Sequence, residues 1–212
     1  MRSLKLATVC ALASLLSGCV YSVHPLLQES DLTKDFNLSG TWKPQGGQVQ
    51  GITDAKQLAG YTFTAKGFSK GAASQYDISW ADNDFVAQIG RIGDDYYLQV
   101  QKSELTPEAP PLLTALPVYG IAKINVTDDK LEVFKIDETR AVQFMKKRKV
   151  PFLHYKPTDM VEFFVLTGTT DSLQDLVRQS GGDLFSKTPM KFTRTHKPDE
   201  QSDARERRSR AD

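Results

Sequence analysis

From residue 40 to residue 195 the chain repeats one pattern: a short run of alternating apolar and polar side chains, then a few residues of turn chemistry. A period of two puts every second side chain on one face of a strand, so each run reads as a half-buried β-strand. The runs fall at 40–44, 61–64, 76–80, 85–92, 96–101, 117–126, 131–136, 162–167 and 190–195. Asp82-Asn83-Asp84, Gly93-Asp94-Asp95 and Thr127-Asp128-Asp129 supply turns, and a Pro-rich loop (Pro107, Pro110, Pro111) precedes the longest strand. Connections of this kind join neighbours most simply as an antiparallel meander. About nine short strands leave many edges open to wrong pairing, and closing the sheet on itself removes those edges. The expected fold is mainly β: an antiparallel meander closed into a small barrel of about 8–9 strands.

Two helices interrupt the strands. Residues 138–149 place Ala141, Val142 and Met145 on one side and end in Lys146-Lys147-Arg148-Lys149. Cations in a last turn suit the negative end of the helix dipole, and the same run offers a site for lipid head groups or a polyanion. In the second helix Asp171 can serve as the cap, with Gln174 three residues on. Leu173, Leu176 and Val177 form its buried stripe and Gly181 ends it.

The N-terminus reads as an address. Arg2 and Lys5 precede an apolar run at 6–16, and the small residues Ser17 and Gly18 follow. That is a secretory signal, and its eleven apolar-core residues fall short of the roughly 18 a spanning helix needs. Leu16-Ser17-Gly18-Cys19 resembles a bacterial lipobox. The resemblance implies that diacylglycerol is attached to the Cys19 thiol, that signal peptidase II cuts before Cys19, and that the new amine is acylated, for example with palmitate. Val20 rather than Asp after the cysteine implies the outer membrane by the enterobacterial sorting pattern, with the domain in the periplasm. Stable attachment takes more than one chain, each buried methylene contributing about 0.8 kcal/mol.

Cleavage would also remove Cys10 and leave no free thiol, so cysteine catalysis, disulfides and thiolate metal sites fall away together. Removing Arg2 and Lys5 lowers the 27 basic residues to 25 against 26 acidic, a formal net of −1. A dedicated nucleic-acid binder would carry a basic excess, so no nucleic-acid partner is expected. The division expected is a signal peptide at 1–18, an anchor and tether at 19–38, a barrel-like domain at 39–195 and a tail at 196–212. The tether contains a Pro and has no sustained period; it either packs loosely against the domain or extends by up to roughly 60 Å. The tail mixes five basic and five acidic residues with no large apolar side chain, a composition that stays disordered.

Gly40-Thr41-Trp42, at the start of the first strand, resembles the opening of lipocalins and related calycins. In that family the Trp closes one end of the barrel and an Arg from the last strand packs across it. The resemblance implies a lipocalin-like barrel with Trp42 and Arg194 as its closing pair. A longer resemblance joins Cys19-Val20-Tyr21-Ser22-Val23-His24-Pro25-Leu26, IGDDYYLQV, PVYGIAKINV and VLTGTTDSLQDLV to a family of uncharacterised bacterial lipoproteins, and implies an address without a chemistry.

The residues point away from catalysis. Of three histidines, His24 falls in the tether and His196 at the tail, leaving His154 beside Phe152 and Tyr155. There is no Gly-x-Ser-x-Gly elbow, no His-Glu-x-x-His helix and no phosphate-binding Gly loop. Asp82-Asn83-Asp84 lacks the Gly and distal Glu of a calcium loop. The expectation is a non-enzymatic protein with no metal and no cofactor. Phe63, Tyr76, Trp80, Tyr96 and Tyr119 fall on strands and either line a cavity for a small hydrophobic ligand or simply fill the barrel. Two roles follow: a lipid-anchored binder of a small apolar molecule, or an envelope interaction module with a solid core and a protein partner.

Overall fold

The computed structural model describes residues 20–45, 62–67, 74–80, 83–102, 118–158 and 161–196. The expected signal peptide, Cys19, residue 82, the Pro-rich loop and the tail beyond His196 lie outside them. The alternating runs form strands β2 (Gly40–Pro44), β3 (Phe63–Gly67), β4 (Gln75–Trp80), β5 (Asn83–Ile92), β6 (Asp95–Lys102), β7 (Tyr119–Val126), β8 (Lys130–Lys135) and β11 (Met190–His196). From β2 to β8 each strand pairs antiparallel with the next. The last strand, β11, lies between β8 and β2 and closes the circle. The result is a closed, lipocalin-like, eight-stranded antiparallel barrel. Gly93, at φ +64, opens the two-residue turn between β5 and β6, a backbone region where glycine meets no steric cost.

Period two decides what fills the barrel. Phe85, Ala87 and Ile89 of β5, Tyr76 and Ile78 of β4, and Ile124 and Val126 of β7 turn inward with Trp42, Phe63, Leu98, Leu131 and Phe192. Much of the interior is aromatic and closely packed. Trp42 and Phe63 stack with centroids 6.4 Å apart, and Phe63 meets Phe192 edge-on at 5.4 Å.

Three further strands were only partly foreseen. β1 (Val20–Ser22), β9 (Phe152–Thr158) and β10 (Val161–Leu166) form a flap on the barrel. β8 pairs with β7 only along Ala122–Val126, and β1 takes the same edge of β7 at Tyr119 and Gly120. On its other side β1 runs parallel to β10, which pairs antiparallel with β9. β9 is the terminal strand of the sheet among the described residues, the place where a strand tolerates a proline such as Pro157.

Two helices, α1 (Glu138–Arg148) and α2 (Thr170–Ser180), pack under this flap. The Asp137 side chain caps α1 by accepting from the Arg140 amide, and Lys149 ends it in the left-handed conformation at φ 55. Thr169, not Asp171, caps α2, because its hydroxyl lies before the first helical turn and accepts from the Ser172 amide. Gly181 stops α2 as expected, at φ +56. The helices bury Ala141, Met145, Leu173, Leu176 and Val177 against Tyr97, Ile121 and Phe164, which makes a second core outside the barrel wall.

Residues 20–38, expected as part of a tether at 19–38, instead pack against both cores. Val20, Leu26, Leu27 and Leu38 are buried, and Val20–Ser22 is a strand of the sheet. The segment shows no period because each apolar side chain enters a different part of the fold rather than one face of one element. Its length is spent along the body and not on reach. At the other end, His196 belongs to β11 rather than to the tail.

Candidate functional site

The two ends of the barrel differ. One is closed by Gly40, Trp42 and Arg194. The Trp42 indole is fully buried and donates from Nε1 to the Leu38 carbonyl at 2.8 Å. The Arg194 guanidinium lies 4.5 Å above the indole ring, a cation–π contact of about 0.5–2 kcal/mol. The guanidinium also donates to the Asn37 carbonyl, while its Nε is buried without a hydrogen-bond partner among the described residues. Burial holds the Arg194 pKa below the ordinary arginine value, and the charges of Asp128 and Asp129 partly offset that.

Gly40 makes the close approach possible. Its φ is +128, and a Cβ there would sit 2.4 Å from the His196 carbonyl oxygen. We expect Gly40→Ala to cost about 2–3 kcal/mol through backbone strain and displacement of β11. Urea unfolding would check this; a loss under 0.5 kcal/mol would contradict the assigned approach.

The opposite end holds a cavity of about 80 Å³. Its wall comes from strand ends: Phe63, Trp80, Phe85, Val100, Gly120, Ala122, Lys135 and Met190. Deeper wall residues come from both cores, Ile78, Leu98, Leu131 and Phe192 from the barrel and Val20, Ile121 and Ile136 from the second core. The cavity therefore lies where β8 parts from β7 and the two cores meet. Trp80, Val100, Val133, Lys135 and Met190 are only half-buried, so among the described residues the cavity reaches the surface. Apart from Lys135 the wall is aliphatic, aromatic or glycine backbone with one thioether. Such a surface offers few hydrogen-bond partners and favours an apolar ligand.

The structure separates the five aromatic residues considered from sequence. Phe63 and Trp80 line the cavity. Tyr76 is buried toward the closed end, where its hydroxyl donates to the Phe36 carbonyl at 2.9 Å and burial raises its pKa. Tyr96 lies at that end too, edge-on to Phe36 at 4.5 Å with its hydroxyl 3.1 Å from Asp35. Tyr119 is half-buried and is not part of the wall, although its neighbour Gly120 is. Strand alternation puts Phe63, Tyr76, Trp80 and Tyr96 on the inward face but says nothing about height along the barrel axis, which is where those four divide; Tyr119 lies on the outer face of β7 with Ile121, opposite Gly120 and Ala122. His154 is exposed on β9, stacked 4.5 Å over Phe164 and away from the cavity.

Gln99 escaped the sequence reading, and Gln174 was read only as part of a helix start, because buried amides have no pattern of their own. The Gln99 Oε1 accepts from the Leu26 and Leu27 amides at 2.6 and 3.0 Å, and its Nε2 donates to Gln88. Gln174 of α2 donates to the Leu26 carbonyl at 3.0 Å and to Asp31 at 2.8 Å. Thr170 donates to the Pro25 carbonyl at 2.7 Å. These bonds clamp residues 25–31 between the outer barrel wall and α2. Gly90 belongs to the clamp, since a Cβ there would lie 2.7 Å from a Leu27 methyl.

Beside the clamp, Tyr97 packs on Phe185 with centroids 5.7 Å apart. Burial first, and then the charge and hydrogen bond of Asp95, push the Tyr97 phenol far above its ordinary pKa. The fold therefore favours the neutral phenol. That stability is complete below the unfolded tyrosine value of about 10 and is lost as pH rises beyond it. Tyr97→Phe is expected to flatten the loss of stability above about pH 10, read by circular dichroism during alkaline titration; an unchanged alkaline limb would refute the assignment.

Comparison with protein-family models, curated proteins and solved structures finds no match to this chain.

Proposed function

We propose that this chain is a lipid-anchored lipoprotein of the cell envelope, held at the periplasmic face of the outer membrane, whose barrel receives a small apolar group without transforming it. The apolar cavity at the end away from Trp42 carries the binding part. Its volume of about 80 Å³ limits the ligand. Pockets for drug-sized ligands hold about 300–1,000 Å³, and an engineered apolar cavity of about 150 Å³ holds one benzene. A chain end or a group of a few carbons fits; a bulky molecule would need the wall to move. Leu16-Ser17-Gly18-Cys19 behind a secretory signal supports the anchor.

The anchor is tested by Cys19→Ser. The variant is expected to lose labelling by radioactive palmitate and to shift from the membrane to the soluble fraction or remain unprocessed. Unchanged labelling and fractionation would end the lipoprotein reading. A second reading, an envelope interaction module, draws on β9. This terminal strand carries Leu153, which is 48% exposed and is the exposed large hydrophobic residue among those described. Leu153→Glu would abolish recovery of a crosslinked envelope partner on that reading and leave ligand binding intact.

A further inference from the structure

We infer that the cavity shelters one of the protein's own acyl chains, carried on Cys19. The inference rests on the lipid-anchor reading above and adds where one of the chains goes. Val20 is 3% exposed, lies between β7 and β10, and is itself part of the cavity wall. A single trans peptide unit, with Cα atoms about 3.8 Å apart, joins it to the residue that would bear the lipid.

The residue that follows the attachment point is held there. The Gln99 and Gln174 clamp fixes residues 25–31, and β1 is paired on both sides. A chain bonded to Cys19 therefore starts one peptide unit from a residue of the cavity wall, and among the described residues that cavity reaches the surface. A loose tether would have carried it away.

The dimensions select one chain rather than several. A volume of about 80 Å³ takes roughly five to eight water-sized groups, which matches part of one acyl chain. A triacylated cysteine with one chain in the cavity still leaves two in the bilayer, and two are enough for stable attachment. The body then rests close to the membrane with the cavity end toward the lipid. An acyl chain from a free fatty acid or membrane lipid has the same chemistry, so the test must distinguish the sources.

The full chain is expressed in cells fed a diazirine-bearing C16 fatty acid, irradiated, and digested for mass spectrometry. The expected result is label on Cys19 together with cross-links joining the Cys19 peptide to cavity-wall peptides around Phe85, Val100 or Met190. These should be at least tenfold more abundant than links to exposed α2 residues. Ala122→Phe, and independently Val133→Phe from β8, should fill the cavity and cut those links about tenfold while leaving Cys19 labelled. Label on Cys19 with cross-links only to bilayer lipid would overturn the inference and leave the anchor standing. Wall peptides bearing free fatty acid unconnected to Cys19 would overturn it in favour of an external lipid. An unlabelled Cys19 would remove the anchor reading itself, and the inference with it.

Discussion

Trp42→Ala is expected to lower the stability of the protein by about 4 kcal/mol, within the range for emptying a fully buried aromatic site. Three losses coincide. The indole packs against Phe63, donates to the Leu38 carbonyl, and supports the Arg194 guanidinium 4.5 Å above it. Without the ring, Arg194 keeps the burial that already disfavours its charge and loses the π-face that partly compensates. For a domain of this size the change amounts to roughly 8–16 °C in Tm. Trp42→Phe keeps much of the packing and gives up the N–H donor, so its loss should be near 1–2 kcal/mol. Scanning calorimetry of both variants checks the ordering. A Trp42→Ala protein within 1 kcal/mol of the parent would show that the closed end carries little of the fold's stability.

Gln99→Leu should cost nearly as much, about 3–4 kcal/mol, and should act on a different part of the molecule. The substitution leaves the buried Leu26 and Leu27 amides without an acceptor, at about 1–3 kcal/mol each. It also deprives Gln88 of a donor. The isobutyl group fits the apolar surroundings but cannot reach two converging N–H groups. Amides of residues 20–34 should exchange with deuterium at least tenfold faster, while those of β3 and β4 change little. Uniform acceleration across the barrel would instead show that the N-terminal segment and the barrel unfold as one unit.

The two variants also mark what could be read in advance. Trp42 and Arg194 were expected as a pair because Gly-x-Trp and a late arginine have fixed places in a known pattern, and the structure brings them into contact. Gln99 carried no such signal. Neither did β1, whose three residues are too few to show a period and whose parallel partner β10 lies some 140 positions away. β9 was missed for a different reason. Pro157 argues against a strand in general, and the position of β9 at the end of the sheet, with an irregular register to β10 at that point, makes the proline harmless. For the cavity, alternation correctly put Phe63 and Trp80 inward, but it put Tyr76 there equally, and the two ends of the barrel are indistinguishable in one dimension.

The sequence alone was enough for the meander, most of the inward faces and the two helices. Each rests on local geometry: a period of two or 3.6, a turn residue or a cap. The pairing of Trp42 with Arg194 was implied by a family resemblance, and the fold brings the two into contact. The tertiary structure decided what depends on contacts between distant positions. It placed residues 20–38 within the body, split β8 from β7 so that a cavity opens between two cores, and packed the barrel below it with aromatic rings. Burial of an aperiodic segment and the volume left between packed side chains are sums over many distant partners. No short stretch of residues contains them.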